Sequence, residues 1–429
     1  MIVSAERPTG VERRQNAQAW PRVPLLKLCR IGARIVDPRL PQHRGLPHVS
    51  GENIESGSGR LLGIRSVADD GMTSGKYLFE AGVVLYSKLR PYLRKVAVAD
   101  FRGLCSADMY PLTFDRSRVA LDFAKFALLG EEFTAFAVEK STRARMPKLN
   151  RQQLLAYEFP LPPLAEQKRI AQRLTEQLAA VECGRGAAKE RLAAAEALPA
   201  AYLREAFGED APFSASPIVP TKPARPGWRW HLLTEVARLA TGHTPSRREP
   251  SWWGGDIQWL QLPDIRAVDG RRVIETLEQI NELGLANSSA VLLPQGTVCM
   301  SRTASVGFVT IMGRAMATSQ DFVNWVCGPN LDPDFLMYLI LRCRREVLDL
   351  GSGATHHSIY FETVQNFNVC LPVVAEQRRI AADLSRRIGE AGLLAAGVRE
   401  EMATLEALPA AFLREAFTGR ASSNGGETR

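Results

Sequence analysis

Two stretches in the first third of the chain gather cations: Lys88, Arg90, Arg94 and Lys95, then Lys140, Arg143, Arg145, Lys148 and Arg151. A guanidinium forks two bonds onto a guanine edge or a phosphate, whereas an ammonium acts as a point charge on phosphate. Such density therefore suits a polyanion, most often nucleic acid. A solvated basic face explains the same charges, and charge alone does not choose between the two.

Chemistry that makes or breaks bonds needs more than cations. The chain has no NPPY or DPPF stretch for amino-group methylation, no G-x-x-x-x-G-K-[ST] phosphate loop and no H-E-x-x-H metal helix. His356 and His357 form the one adjacent histidine pair, without carboxylates or cysteines at ligand spacing, so packing or a DNA contact outranks a metal. Pro263 and Asp264, followed by Glu275, begin a nuclease-like pattern but lack the lysine two residues after the glutamate. The seven cysteines (29, 105, 183, 299, 327, 343 and 370) form no C-x-x-C pair and are odd in number. They read as reduced, buried thiols rather than disulfides or zinc ligands. The expectation is a non-catalytic chain with no cofactor or metal of its own.

The elements that would position such residues occur twice. AEQKRIA at 165–171 returns as AEQRRIA at 375–381, and ALPAAYLREAF at 197–207 as ALPAAFLREAF at 407–417. Aligned without a gap, 165–210 and 375–420 agree at 20 of 46 positions, which makes duplication the basis of the architecture. Ile170, Leu174, Leu178, Val181, Arg185, Ala188, Leu192 and Ala195 recur as Ile380, Leu384, Ile388, Ala391, Ala395, Val398, Met402 and Leu405. Steps of three and four averaging close to 3.5 mark a coiled-coil seam. Gly184 and Gly186 flank Arg185, and Gly389, Gly392 and Gly397 punctuate the second copy. Close approach of two helices would offset their cost. Pro199 and Pro409 are expected to end or kink each helix.

Upstream of each helix, MPKLNRQQLLAYEFPLP faces HHSIYFETVQNFNVCLP, VVLYSKLRPYLRKVAVA faces TVCMSRTASVGFVTIMG, and CSADMYPL faces TSQDFVNW. The first pair reads as a short helix and a strand, and the second as two β-rich runs around Ser87 or Ser301. The proline-rich 208–227 reads as a link and TGRASSNGGETR as a mobile tail. With 429 residues and 45% apolar content, two or three globular domains are expected. No apolar run suits a membrane span and no h-region suits a secretory signal, so a cytoplasmic site is expected. Of the net charge of +8, the first 160 residues hold 25 basic against 16 acidic groups, while 211–370 balance. The first half is therefore expected to supply more of a salt-dependent grip on phosphate.

PLPPLAEQKRI with its echo LPVVAEQRRI, the LREAF helix ends, SKLRP opposite SRTASVG, and TGHTPS followed by WWGGDIQWL together resemble the specificity subunit of type I restriction-modification systems. The first half departs from this pattern, reading RIGARIVDPR where a GxTPS-like opening would stand. The resemblance implies an α+β chain with two mixed α/β target-recognition domains, joined and separated by two long antiparallel coiled-coil helices in a pseudo-two-fold internal repeat. Its parts would be recognition domain 1 (1–160), helical spacer 1 (161–207), linker (208–227), recognition domain 2 (228–370), spacer 2 (371–417) and tail (418–429). Each domain would read one half of a split, asymmetric site in double-stranded DNA. Two modification subunits using S-adenosylmethionine to methylate adenine N6, and restriction subunits using ATP and Mg, would be the partners.

Surface loops on a rigid scaffold are the expected contact sites. The candidates are Arg65, Lys76, Lys88, Arg90, Arg94, Arg143 and Arg145 in the first domain, and Thr244, Ser246, Arg247, Arg248, Arg302, Thr303, Gln320, His356 and His357 in the second. Trp252, Trp253 and Trp259 read as core rather than base-stacking platforms. Rival readings are a self-contained methyltransferase or nuclease, a stand-alone DNA-binding regulator, and a coiled-coil scaffold without a DNA role.

Overall fold

The computed structural model describes residues 20–32, 34–141, 147–351 and 358–418. The N-terminal stretch, Arg143, Arg145, His356, His357 and the tail from 419 lie outside them. The chain divides into two compact units, residues 1–189 with 399–429, and residues 190–398.

In the first unit, β1 (Cys29–Ile31), β2 (Val83–Ser87), β3 (Val96–Ala99) and β4 (Met109–Phe114) form an antiparallel sheet in the order β1-β4-β2-β3. All five residues of β2 are buried, so VVLYS shows no polar alternation. Val84 and Tyr86 join a cluster with Phe123, Phe126 and Phe133, while Val83 and Leu85 join Val49, Phe79 and Cys105 on the other face. The latter three belong to a second, five-stranded sheet. The strand β5 (Glu158–Pro160) leads into the long helix α1 (Leu164–Phe207).

The second unit uses the same succession. The strands β6 (Ala237–Thr241), β7 (Val298–Ser301), β8 (Val309–Met312) and β9 (Phe322–Cys327) pair antiparallel in the order β6-β9-β7-β8, with Arg272–Val273 added parallel beyond β8. Even the register recurs: Ser87 lies opposite Met109, and Ser301 opposite Phe322. Helix Pro333–Arg342 buries Phe335, Leu336 and Leu339 in this unit's core. The strand β10 (Asn368–Leu371) leads into α2 (Val374–Thr418).

The repeated AEQ has a structural reason. Gln167 is fully buried; its Oε1 accepts the Ala120 N–H, and its Nε2 donates to the carbonyls of Arg118 and Pro162. Gln377 repeats this with the Asp332 N–H and the carbonyls of Asn330 and Pro372. One amide thus satisfies three backbone groups that burial would otherwise leave unpaired. Glu166 and Glu376 beside them pair with Arg169 and Arg379.

Along the helices, the apolar positions at steps of three and four are buried or half-buried. Ile170, Leu174, Val181, Ala188 and Ala195 are buried on α1, with Leu178 and Leu192 half-buried. On α2, Ile380, Leu384, Ala391, Ala395 and Val398 are buried, with Ile388, Met402 and Leu405 half-buried. In the first unit Ile170 and Leu174 share a core with Leu413 and Ala416, while Gly184 lies against Leu405, so the two segments run in opposite directions. Gly184 fits the close approach expected of it, since an added Cβ would sit 3.4 Å from Leu405 Cδ2. Gly389, Gly392 and Gly397 do not, because a Cβ there meets nothing within 4 Å.

One expectation is narrowed and one corrected. Pro199 and Pro409 do not end their helices, which continue to Phe207 and Thr418. Leu203 and Phe207, and likewise Leu413 and Ala416, are buried in their units' cores, and this packing offsets the lost hydrogen bond. Nor is 208–227 merely a link. Phe213–Ser214 adds an edge strand to β10, and Phe213 packs edge-on against Phe367. Among the described residues no helix is long and apolar enough to cross a membrane.

Candidate nucleic-acid interface

Both units hold the loop after their central strand in the same way. The Lys88 N–H donates to Asp108 O and the Arg302 N–H to Asp321 O. From the other side, the Leu149 N–H donates to Lys88 O and the Ile359 N–H to Arg302 O. Bridges between Leu89 and Lys148, and between Thr303 and Ser358, complete the match. The loops 88–95 and 302–308 are therefore each zipped to the segment that precedes the short helix before α1 or α2.

The side chains of Lys88 and Arg302 also correspond. Lys88 Nζ donates to Ala107 O at 2.5 Å, and Arg302 Nε to Gln320 O at 3.2 Å, the carbonyl just before the matched aspartate in each unit. Arg302 adds a bond from Nη1 to Ile359 O at 3.3 Å. Lys88 is 8% exposed. Both cations brace a loop from beneath, which corrects the expectation that Lys88 offers its charge to DNA. Lys76 is corrected on the same ground: it is 6% exposed, its ammonium bonds Ser74 O and Oγ, and burial lowers its pKa.

Beyond the brace the backbone is strained. Three non-glycine residues among those described have positive φ, namely Arg90 (50°), Arg94 (46°) and Ala304 (55°), and all three lie in these two loops. Such left-handed geometry costs roughly 1–2 kcal/mol per residue and persists where surroundings over-determine it. Arg90 is exposed. Arg94 is half-buried and lines a cavity of about 410 Å³ with Ser56, Gly57, Lys125, Leu178 and Arg185.

In the second unit the turn 318–321 gathers several predicted residues. Thr244 Oγ1 donates to Gln320 Oε1 at 2.6 Å, Thr303 Oγ1 donates to Asp321 Oδ1 at 2.6 Å, and Arg302 holds Gln320 O. The glycine of TGHTPS is explained by close approach, since a Cβ on Gly242 would fall 2.2 Å from Thr318 O. Trp259 Nε1 donates to His243 O and fixes the same stretch from below.

The neighbouring arginines divide. Arg247 is bidentate to Glu278 at 2.7 and 2.6 Å and lies 3.8 Å over the Trp253 ring. This pairing raises the Arg247 pKa and lowers that of Glu278. Arg248 is exposed beside Ser246, whose Oγ accepts its backbone N–H. Trp259 is core as expected, and Trp253 is half-buried under Arg247. Arg65, at 62% side-chain exposure, donates to Asp69 O and belongs to the five-stranded sheet rather than to the 88–95 loop. Among the described residues no group of three or more His, Cys, Asp or Glu could hold a metal.

Sequence reasoning missed Arg60, which pairs with both Glu55 and Glu182, and the role of Arg151, which lies over Tyr77 and Tyr110 and donates to the Tyr77 hydroxyl. Nothing in SGSGR or NRQQLL distinguishes these arginines from solvated ones; only the tertiary fold supplies their partners.

Comparison with known proteins places these features in context. The family model described as the type I restriction modification DNA specificity domain matches residues 62–186 and again 227–395. The EcoDI type I restriction enzyme specificity subunit of Escherichia coli is 36% identical over 160 residues, 37% of this chain and 35% of the relative. The MjaIX specificity subunit of Methanocaldococcus jannaschii is 27% identical over 160 residues, 37% of each chain. These matches thus span little more than a third of the curated relatives. Among solved structures, the HsdS subunit from Thermoanaerobacter tengcongensis aligns with a TM-score of 0.65 at 21% identity, over 94% of this chain and 97% of that one. A chain from a structural study of type I R-M complex assembly and conformational transition aligns at 0.72 and 23% identity, over 94% and 98%. At these identities the structural likeness concerns the fold.

Proposed function

Since this chain belongs to the type I restriction-modification DNA specificity family, we propose that it is the subunit that selects the DNA sequence on which a type I restriction-modification complex acts. Each unit reads one half of a bipartite, asymmetric site in double-stranded DNA. The paired helices α1 and α2 form an antiparallel coiled coil that sets the distance between the halves and docks two methyltransferase subunits. Adenine N6 methylation, with S-adenosylmethionine, belongs to those partners, and ATP- and Mg-dependent translocation and cleavage to restriction subunits. This chain contributes recognition and no catalytic step.

The observation that carries this reading is the twice-built loop. An identical backbone clamp and an equivalent bracing cation support loops whose outer residues differ, LRPYLR in one unit and TASVGF in the other. Duplicated scaffolds with unlike contact residues read two unrelated half-sites, because phosphate contacts position while base contacts specify. The test is a map of N6-methyladenine across the genome of a host carrying this chain with its methyltransferase, against the same host lacking it. One bipartite motif with a fixed gap, lost in the deletion, is the expected result. Identical maps with an active methyltransferase would reduce the chain to a scaffold.

A further inference from the structure

The matched clamps put the two recognition loops in a common frame. Residues 88 and 302 occupy one position, each donating its N–H to the carbonyl of an aspartate and accepting at its own carbonyl from the N–H of Leu149 or Ile359. Counting two residues on from this anchor reaches Arg90 in one loop and Ala304 in the other. Both have left-handed backbone, at φ 50° and 55°, and both are exposed. Neither residue type favours that conformation, so its recurrence at one framed position means that the clamp imposes it. A loop held this way presents its tip side chain in a fixed direction, which is what recognition of a base edge requires.

The other cations of these loops are bonded or half-buried. Lys88 and Arg302 brace the loop from beneath, Lys95 Nζ donates to Gly51 O, and Arg94 lines the cavity beside Gly57. Arg90 has no side-chain hydrogen bond or ion pair among the described residues. Its backbone N–H is fixed on Pro147 O at 2.8 Å, so the peptide is held while the exposed guanidinium is free of the described residues. A free guanidinium on a fixed peptide matches the forked donor pair that guanine O6 and N7 accept in the major groove.

We infer that Arg90 is a sequence-determining residue that reads a guanine in the half-site of the first unit, and that Ala304 stands at the equivalent reading position of the second. Ala304 has no donor. At the matching place in the other half-site it offers only a methyl group, which selects a thymine methyl or leaves the base unread. The inference rests on the specificity-subunit reading and adds to it the residue position at which the two half-sites diverge.

The experiment is selection of a randomised duplex library by the full chain assembled with its methyltransferase subunit, followed by sequencing of the bound DNA. The parent should return one bipartite motif with guanine at a fixed place in one half. Arg90→Ala should lose that guanine preference, a change of about 5- to 150-fold for one bidentate pair, with every other position retained. Arg90→Lys keeps the charge and loses the fork, so it should lose the preference and preserve the salt dependence of binding. Ala304→Arg should introduce a guanine preference in the other half. An Arg90→Ala motif identical to the parent's overturns the inference, as does uniform weakening across all sequences with a shallower salt slope, which marks a phosphate contact. A parent that returns no bipartite motif fails the specificity-subunit reading itself, whatever Arg90 does.

Discussion

Arg60 bonds two carboxylates at once, Glu55 in its own loop and Glu182 on α1. The same loop donates the Ser56 hydroxyl to Leu93 O and the Gly57 N–H to Arg94 O. A chain of polar contacts therefore runs from the long helix through 55–60 to the foot of the 88–95 loop. Whatever holds the helix face near Glu182 also steadies the loop that carries Arg90.

This connection is sensitive to acid. Bonds from Arg60 and Ser58 hold the Glu55 carboxyl down to about 2, well below its ordinary 4.5. A carboxyl lowered on folding stabilises the folded state above its unfolded pKa, and that contribution fades as pH falls toward the folded value. The parent should therefore exceed Glu55→Gln in thermal midpoint at neutral pH, and the two should converge between about pH 4.5 and 2. A difference that stays constant down to pH 2 would show that the carboxylate charge is irrelevant to the contact.

Gln167 and Gln377 carry a larger share of stability. Each alanine substitution strands one buried N–H and two carbonyls, at about 1–3 kcal/mol for a group left wholly unsatisfied. Water entering the vacated space recovers part, so a loss of about 2–4 kcal/mol is expected for each. The two sites share no partners, and the losses should add in the double variant. Gln172 on the same helix is exposed and bonded to Glu176, and Gln172→Ala should stay within about 0.5 kcal/mol. Denaturant titration of the four variants decides the matter; equal effects at Gln167 and Gln172 would exclude the clamp.

Periodicity made some of this legible and hid the rest. VVLYS and TVCMS are apolar runs bounded by polar loops, so their strands could be read directly, as could the seam from Ile170 to Leu405 with its steps of three and four. The repeat at 165–171 and 375–381 marked a constraint without revealing that Gln167 and Gln377 are its centre, because the groups they satisfy lie up to about 50 residues away in sequence. Lys88 looked like Arg90 by composition. Only the carbonyl of Ala107 beneath it turns one into a brace and leaves the other outside. Of the two outcomes expected at Pro199, an end or a kink, the end is excluded because a local rule on helix breaking yields to the packing of Leu203 and Phe207.

Thiol reactivity should single out one residue. Cys183 is exposed on α1, whereas Cys29, Cys105, Cys299, Cys343 and Cys370 are buried and Cys327 is half-buried. Burial pushes the thiols of Cys29, Cys105 and Cys327 up to about 12, so hardly any reactive thiolate is present there at pH 7.5. Maleimide labelling of the native chain should reach one equivalent quickly, and Cys183→Ser should abolish that phase. A fast phase that survives the substitution would mean that another cysteine opens readily.

The spacing role assigned to the helices has its own test. Val181, Ala188 and Ala195 keep one face of α1 buried at intervals of seven. Inserting a whole heptad beside Arg185 therefore preserves the seam, whereas inserting four residues rotates the following segment out of register. Seven residues add about 10 Å along the helix, which corresponds to roughly three base pairs. The α1 variant needs a matching heptad in α2, placed beside Ala395, so that both helices lengthen together. Methylome mapping of this double insertion should show both half-sites unchanged and the gap lengthened by about three base pairs. Altered half-site bases at unchanged spacing would mean that the helices shape the reading surfaces instead of measuring the distance between them.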